Sequence, residues 1–114
     1  MLEAKKTPIS GADDCCLLTS AELTAAYAAG SLSPVEVTEK ALERAEAAQE
    51  SCNAFTLIDH EGALEMARAA EARWQAGTPL SPVDGVPSTI KDIVSIKGWS
   101  VRYGSRLSDP TPCA

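Results

Sequence analysis

The sequence has 114 residues and a mass of 11.9 kDa, with ten Lys and Arg against sixteen Asp and Glu for a formal net charge of −6, a length that suits one small domain. Of its 45% hydrophobic residues, 19 are Ala, against one Phe, two Trp and two Tyr. Ala brings helix propensity but little of the roughly 1.5–3 kcal/mol that burying a large apolar side chain contributes, so the chain's own core is expected to be thin. An acidic chain lacks the basic stripe that phosphate-backbone binding needs, so no nucleic-acid partner is expected.

In chain order, residues 1–17 mix Pro, Gly and charge without periodicity and read as a flexible lead-in to a domain over 18–114. Lys5 and Lys6 are followed by Pro8, Gly11, Asp13 and Asp14, where a signal peptide would need an apolar stretch. With no membrane-length apolar run, a cytoplasmic location without membrane contact is expected.

Thr19-Ser20-Ala21-Glu22 is a capping box, with Leu18 and Leu23 at the hydrophobic-staple positions. It opens a helix carrying Leu23, Ala26 and Tyr27 on one face and closing at Gly30. Ser33-Pro34-Val35-Glu36 repeats the signal more strongly, with proline at the first helical position and Leu32 and Val37 as staple. Val37, Ala41, Ala45 and Ala48 follow at helical spacing, Leu42 widens the stripe, and Glu36 and Lys40 form an i,i+4 pair on the wet side.

Residues 53–59, Asn-Ala-Phe-Thr-Leu-Ile-Asp, read as a short strand. Asp59 caps a third helix from about His60 to Ala76, with Ala63, Ala67, Ala70 and Trp74 in one apolar line and Gly77 at its end. A Pro-rich connector over 78–87 leads to Ser88-Thr89-Ile90-Lys91-Asp92-Ile93-Val94, the second expected strand. The order is that of a layered α/β domain, and two strands cannot make a sheet that stands alone.

Lys91 is the most unusual placement, a cation among Ile90, Ile93 and Val94. In a covered sheet it would be desolvated, which disfavours the ammonium and makes lysine a proton acceptor near neutral pH. On an edge strand it would be a solvated charge that blocks pairing. His60 is the single histidine and has no fixed nucleophile beside it, which argues against a Ser-His-Asp or Cys-His device. Cys15, Cys16, Cys52 and Cys113 contain no C-x-x-C pair, so no zinc spacing can be assembled, and they read as bystanders. Trp74 reads as core, whereas Trp99 is undetermined. The glycines at 85, 98 and 104 stand in no phosphate-cradling arrangement.

Leu18-Thr19-Ser20-Ala21-Glu22-Leu23, Gly30 to Val37, Asn53-Ala54-Phe55 and Asp84-Gly85-Val86-Pro87-Ser88-Thr89-Ile90-Lys91-Asp92 together resemble the N-terminal part of an amidase signature enzyme. Gly98-Trp99 and Gly104-Ser105 resemble the stretch that follows. The resemblance implies an α/β fold in which a mixed β-sheet is covered by helices, present only in its first elements and incomplete here. It also implies hydrolysis of amide C–N bonds by a serine nucleophile, a second serine in a cis peptide and a lysine base, with Lys91 matching the lysine. No metal or organic cofactor is implied; the partner is a small-molecule amide substrate, and a homodimer is left open.

The Gly- and Ser-rich stretch carrying both serines has no counterpart here, since Ser88, Ser95, Ser100, Ser105 and Ser108 stand in no such context. The chain is therefore expected to be inactive by itself. Two other readings stand beside this one: the A subunit of the tRNA-dependent amidotransferase, which has the same lysine, and a non-enzymatic helical interaction module or relic.

Overall fold

The computed structural model describes residues 12–114, which form a 3-10 helix at Ala12–Leu17 and three α-helices. These are α1 (Ser20–Ala29), α2 (Pro34–Cys52) and α3 (His60–Gln75). Of the lead-in expected over 1–17, residues 1–11 lie outside the described residues. Within 12–17, however, Cys15 is only 1% exposed and joins Leu23, Tyr27 and Val37 in the core. The packed unit thus takes in residues that composition alone reads as lead-in.

The caps form as their chemistry dictates. Thr19 Oγ1 accepts the Glu22 N–H at 3.2 Å, and the Glu22 carboxylate accepts the Thr19 N–H at 2.8 Å. Ser33 and Glu36 repeat this reciprocal pair at 3.1 and 2.8 Å, with Pro34 at the helix start. Asp59 Oδ1 accepts the Gly62 N–H at 3.0 Å and starts α3. Each satisfies N–H groups that a helix start otherwise leaves to water. The staple residues pack as well: Leu23 and Val37 are buried, and Leu18 and Leu32 lie against the same cluster. Since Glu36 is engaged at the cap, Lys40 reaches Glu43 instead, at 2.9 Å, and the expected Glu36–Lys40 pair gives way to an i,i+3 pair.

α2 and α3 lie against each other, with Ala67 and Ala70 buried on α3. Trp74, at the end of the same line, packs half-buried on the core cluster, as expected of a core residue.

The two expected strands are absent among the described residues. Residues 53–59 and 88–94 are irregular, and the pairing observed is a single bridge between Lys97 and Cys113. A strand is defined by its ladder of hydrogen bonds, and neither segment has a neighbour of the required extension. What is observed is a three-helix unit followed by a long irregular tail, without the mixed sheet.

Candidate active-site segment

The path to Lys91 begins where α3 stops. Gly77, at φ 71°, turns the chain left-handed while its N–H reaches Trp74 O and the Thr78 N–H reaches Arg73 O, at 3.1 and 2.9 Å. This Schellman closure satisfies the last carbonyls and sends the chain back across the helices. Two turns follow, closed by Asp84 N–H to Ser81 O and Val86 N–H to Val83 O, each at 3.2 Å.

Asp84 is the anchor. Arg73 grips its carboxylate with two parallel bonds of 2.7 Å, from Nε to Oδ2 and from the terminal nitrogen to Oδ1, while the Leu80 N–H donates to Oδ2 at 3.0 Å. The Arg73 guanidinium, helped by the backbone donors and opposed by burial, holds this carboxyl at about 2. The planar fork of arginine matches a carboxylate in a way lysine cannot. Beside it, Trp74 Nε1 donates to Asp84 O at 2.9 Å and the Tyr27 hydroxyl donates to Gly85 O at 3.2 Å. The two rings lie 6.0 Å apart, tilted at 58°. Burial pushes the Tyr27 hydroxyl up to about 12, so it remains a donor at physiological pH.

Gly85 fits because it has no side chain. Its φ is +80°, and a Cβ there would stand 2.9 Å from Pro34 Cγ and 3.0 Å from Ala70 Cβ. The Asp84-Gly85-Val86 turn is thus tied to α1 through Tyr27, to α2 through Pro34 and to α3 through Ala70, Arg73 and Trp74. The tail leaves the helical unit from this fixed point.

Beyond it the chain opens. The Lys91 side chain is exposed and makes no hydrogen bond or ion pair among the described residues. Of the two readings open for Lys91, desolvated under a covering sheet or solvated, the described residues show the exposed side chain, with no sheet over the segment. The Lys91 carbonyl accepts the N–H groups of Ile93 and Val94, at 2.7 and 3.1 Å, which folds the segment into a turn. Asp92 Oδ1 accepts the Arg102 N–H at 2.9 Å, while its Oδ2 is shielded from solvent without a hydrogen-bond partner.

Among the described residues no serine hydrogen-bonds to the Lys91 side chain. Ser100 donates to Pro110 O, Ser108 to Ser105 O, and Ser105 accepts the Leu107 N–H. His60 is occupied by Glu46, at 2.5 Å, in the groove between α2 and α3. The cysteines are free thiols, and burial pushes the buried Cys15 up. No group of residues able to hold a metal ion occurs among the described residues. A shallow depression beside the anchor is lined by Ser20, Ala21, Thr24, Trp74, Pro82 and Val83, and carries no titratable side chain. No described helix is long and apolar enough to cross a membrane.

Sequence reasoning passes over Arg73, and it places Tyr27 on the apolar face of the first helix and Asp84 in the Asp-Gly motif without giving either a part in an anchor. The signal was present in part: an arginine in the last turn of a helix, before a Pro-rich loop that returns with an Asp-Gly pair, is a charge arrangement that can close that loop.

The amidase family model matches residues 36–112. The chain is 44% identical over 94 residues to the A subunit of the glutamyl-tRNA(Gln) amidotransferase from Salinispora arenicola, covering 82% of this chain and 19% of that protein. The proteins of the same name from Streptomyces coelicolor and Myxococcus xanthus are 43% and 42% identical, over 82% and 79% of this chain and 19% and 18% of theirs. The chain thus spans about a fifth of the length of these curated relatives. No solved structure matches it. With the family model spanning the helices from Glu36 onward, the anchored Asp-Gly turn and the Lys91 segment, the chain belongs to the amidase family.

Proposed function

We propose that residues 18–114 are the N-terminal portion of an amidase-type domain and that Lys91 supplies the base for hydrolysis of an amide C–N bond. The observation that carries this reading is the anchored turn at Asp84 and Gly85. Three helices hold it in place, and six residues beyond it the exposed Lys91 side chain makes no hydrogen bond or ion pair among the described residues.

In the complete domain, neutral Lys91 accepts a proton through a bridging serine as the nucleophilic serine adds to the amide carbonyl. Ammonia or an amine departs with a proton, leaving an acyl ester on the serine, and water then hydrolyses that ester to the acid. Both serines and the oxyanion-hole donors come from outside this chain. Without them the largest sources of rate acceleration are missing, so the 114-residue chain is inactive alone. The domain's mixed β-sheet, its small-molecule amide substrate and its cytoplasmic location belong to the same proposal.

The names of the relatives favour one version of this reading: release of ammonia from an amide for transfer to a substrate held on tRNA, with partner subunits. Grafting residues 36–112, the span of the family match, in place of the matching stretch of the Salinispora arenicola protein tests the core claim. The graft is expected to release ammonia from glutamine, and Lys91→Ala to lower kcat at least a thousandfold with KM changed by less than threefold. Full activity in the Lys91→Ala graft would overturn the assignment. Amide hydrolysis by the isolated chain above buffer, abolished by the same substitution, would overturn the inactivity.

A further inference from the structure

The ties nearest to Lys91 lie on its C-terminal side. Toward the anchored turn, residues 87–90 take part in no hydrogen bond among the described residues, so the anchor at Asp84 and Gly85 does not by itself settle where Lys91 stands. After Lys91 the chain is held twice. The Lys91 carbonyl accepts the N–H groups of Ile93 and Val94, and Asp92 Oδ1 accepts the Arg102 N–H at 2.9 Å, ten residues further on. A carboxylate that accepts a backbone N–H makes one of the stronger kinds of hydrogen bond.

Two features set this tie apart from a chance contact of the tail. Asp92 Oδ2 is shielded from solvent and has no donor, a state that a carboxylate avoids unless its surroundings fix it there. The donor is fixed as well. Arg102 O accepts the Ser105 N–H at 2.9 Å, closing a turn whose two central residues, Tyr103 and Gly104, are left-handed at φ 53° and 65°. Such a turn suits Asn-Gly, and a tyrosine in it is strained. Tyr103 is 66% exposed, so burial does not offset that strain. Strain of this kind persists where neighbouring ties over-determine the backbone, and the tie beside Tyr103 is the one from Arg102 to Asp92.

We propose that Asp92 is a positioning residue for Lys91: its carboxylate, clasped to the Arg102 N–H, holds the turn that carries Lys91 in one place. With Lys91 as the base, the reading on which this rests, Asp92 serves the reaction without touching a reacting atom. A base must stand within hydrogen-bond reach of the proton it takes, and a misplacement of about 1 Å costs on the order of a hundredfold in rate. The partner of Asp92 is a backbone N–H rather than a cation, so the acceptor at Oδ1 matters more than the charge. The amide of the same shape, which keeps a carbonyl oxygen at that position, therefore serves in its place.

The test uses the graft described above, with kcat and KM for ammonia release from glutamine measured per folded enzyme well below its melting temperature. Asp92→Ala is expected to lower kcat at least tenfold with KM changed by less than threefold, and Asp92→Asn to recover at least a third of the parent kcat. A merely structural role would lower the melting temperature without this split. Parent kcat in the Asp92→Ala graft, or an Asp92→Asn graft as slow as Asp92→Ala, would overturn the positioning role and leave the base assignment standing. Parent activity in the Lys91→Ala graft would overturn the base assignment, so the two failures are distinct. Nuclear magnetic resonance of the 114-residue chain reads the clasp without any activity. The backbone order parameter at Lys91 is expected to fall from about 0.85 to below about 0.6 in Asp92→Ala and to stay high in Asp92→Asn. The Arg102 amide is expected to exchange at least tenfold faster in Asp92→Ala, and an order parameter indifferent to that substitution would overturn the clasp even where no graft is active.

Discussion

Three residues carry most of the order after α3, and each makes a distinct demand. Gly85 needs a positive φ and an empty Cβ position, so Gly85→Ala meets both left-handed strain and contact with Pro34 and Ala70. The expected loss is about 1–3 kcal/mol, read as a lower denaturant midpoint in urea titration. Asp84→Asn keeps the shape but removes the charge that Arg73 grips, and about 1.5–3 kcal/mol is expected to go with it. Arg73→Lys is expected to restore little of it, since a single ammonium cannot make both bonds. The pH dependence has a definite sign. Asp84 is held at about 2 in the folded chain, below the ordinary aspartate value of about 3.9. Its stabilisation is therefore complete above about pH 4 and lost as the pH falls through about 2. Thermal melts between pH 6 and pH 2 are expected to show this loss, and the Asp84→Asn chain to lack that part of the slope.

The elements divide into those whose formation is local and those whose formation is not. α1 and α2 start where a serine or threonine is followed three residues later by glutamate, and a reader of the sequence sees both starts because the whole motif lies within four residues. Ser33→Ala is expected to cost about 0.5–2 kcal/mol, seen as reduced helical circular dichroism and a lower melting temperature. α3 is equally legible from Asp59 and the Ala63-Ala67-Ala70-Trp74 line, of which Ala67 and Ala70 are buried. The strands were legible only as pattern. Alternation in 53–59 and 88–94 describes what those residues would do beside a neighbour, and hydrogen-bond ladders cannot be read from one edge. The anchor at Asp84 was illegible for a related reason: the pairs Tyr27–Gly85 and Arg73–Asp84 join elements 58 and 11 residues apart, beyond any local periodicity. Cys15 was missed because burial by a neighbouring helix leaves no trace in its own flanking sequence.

As a whole the molecule has two unlike halves. The first, from Ala12 to about Val86, is held by a small core of Cys15, Leu23, Tyr27 and Val37 with Trp74 and Val86 against it. The second has no such core and exposes Ile90, Ile93, Val94, Tyr103 and Leu107, while the first exposes Leu17, Leu57, Met66, Leu80 and Val83 around its core. The chain spans about a fifth of the length of the curated relatives it matches. A self-sufficient interaction module would melt cooperatively and run as a single species. The isolated chain is instead expected to show a shallow thermal transition and concentration-dependent association by size-exclusion chromatography, and a sharp, concentration-independent melt would favour the module.

The indole bond from Trp74 to the Asp84 carbonyl gives these halves separate optical signatures. Trp74 sits half-buried beside Tyr27, while Trp99 stands in the open tail, and together they are the two tryptophans of the chain. Their emission is expected to separate under acrylamide into a shielded and an accessible component. Acid that loosens the Asp84 carboxylate dims the shielding of the first, whereas a covering body shifts the second toward the blue. One fluorimeter trace thus reads the anchor and the open face independently, without any added label.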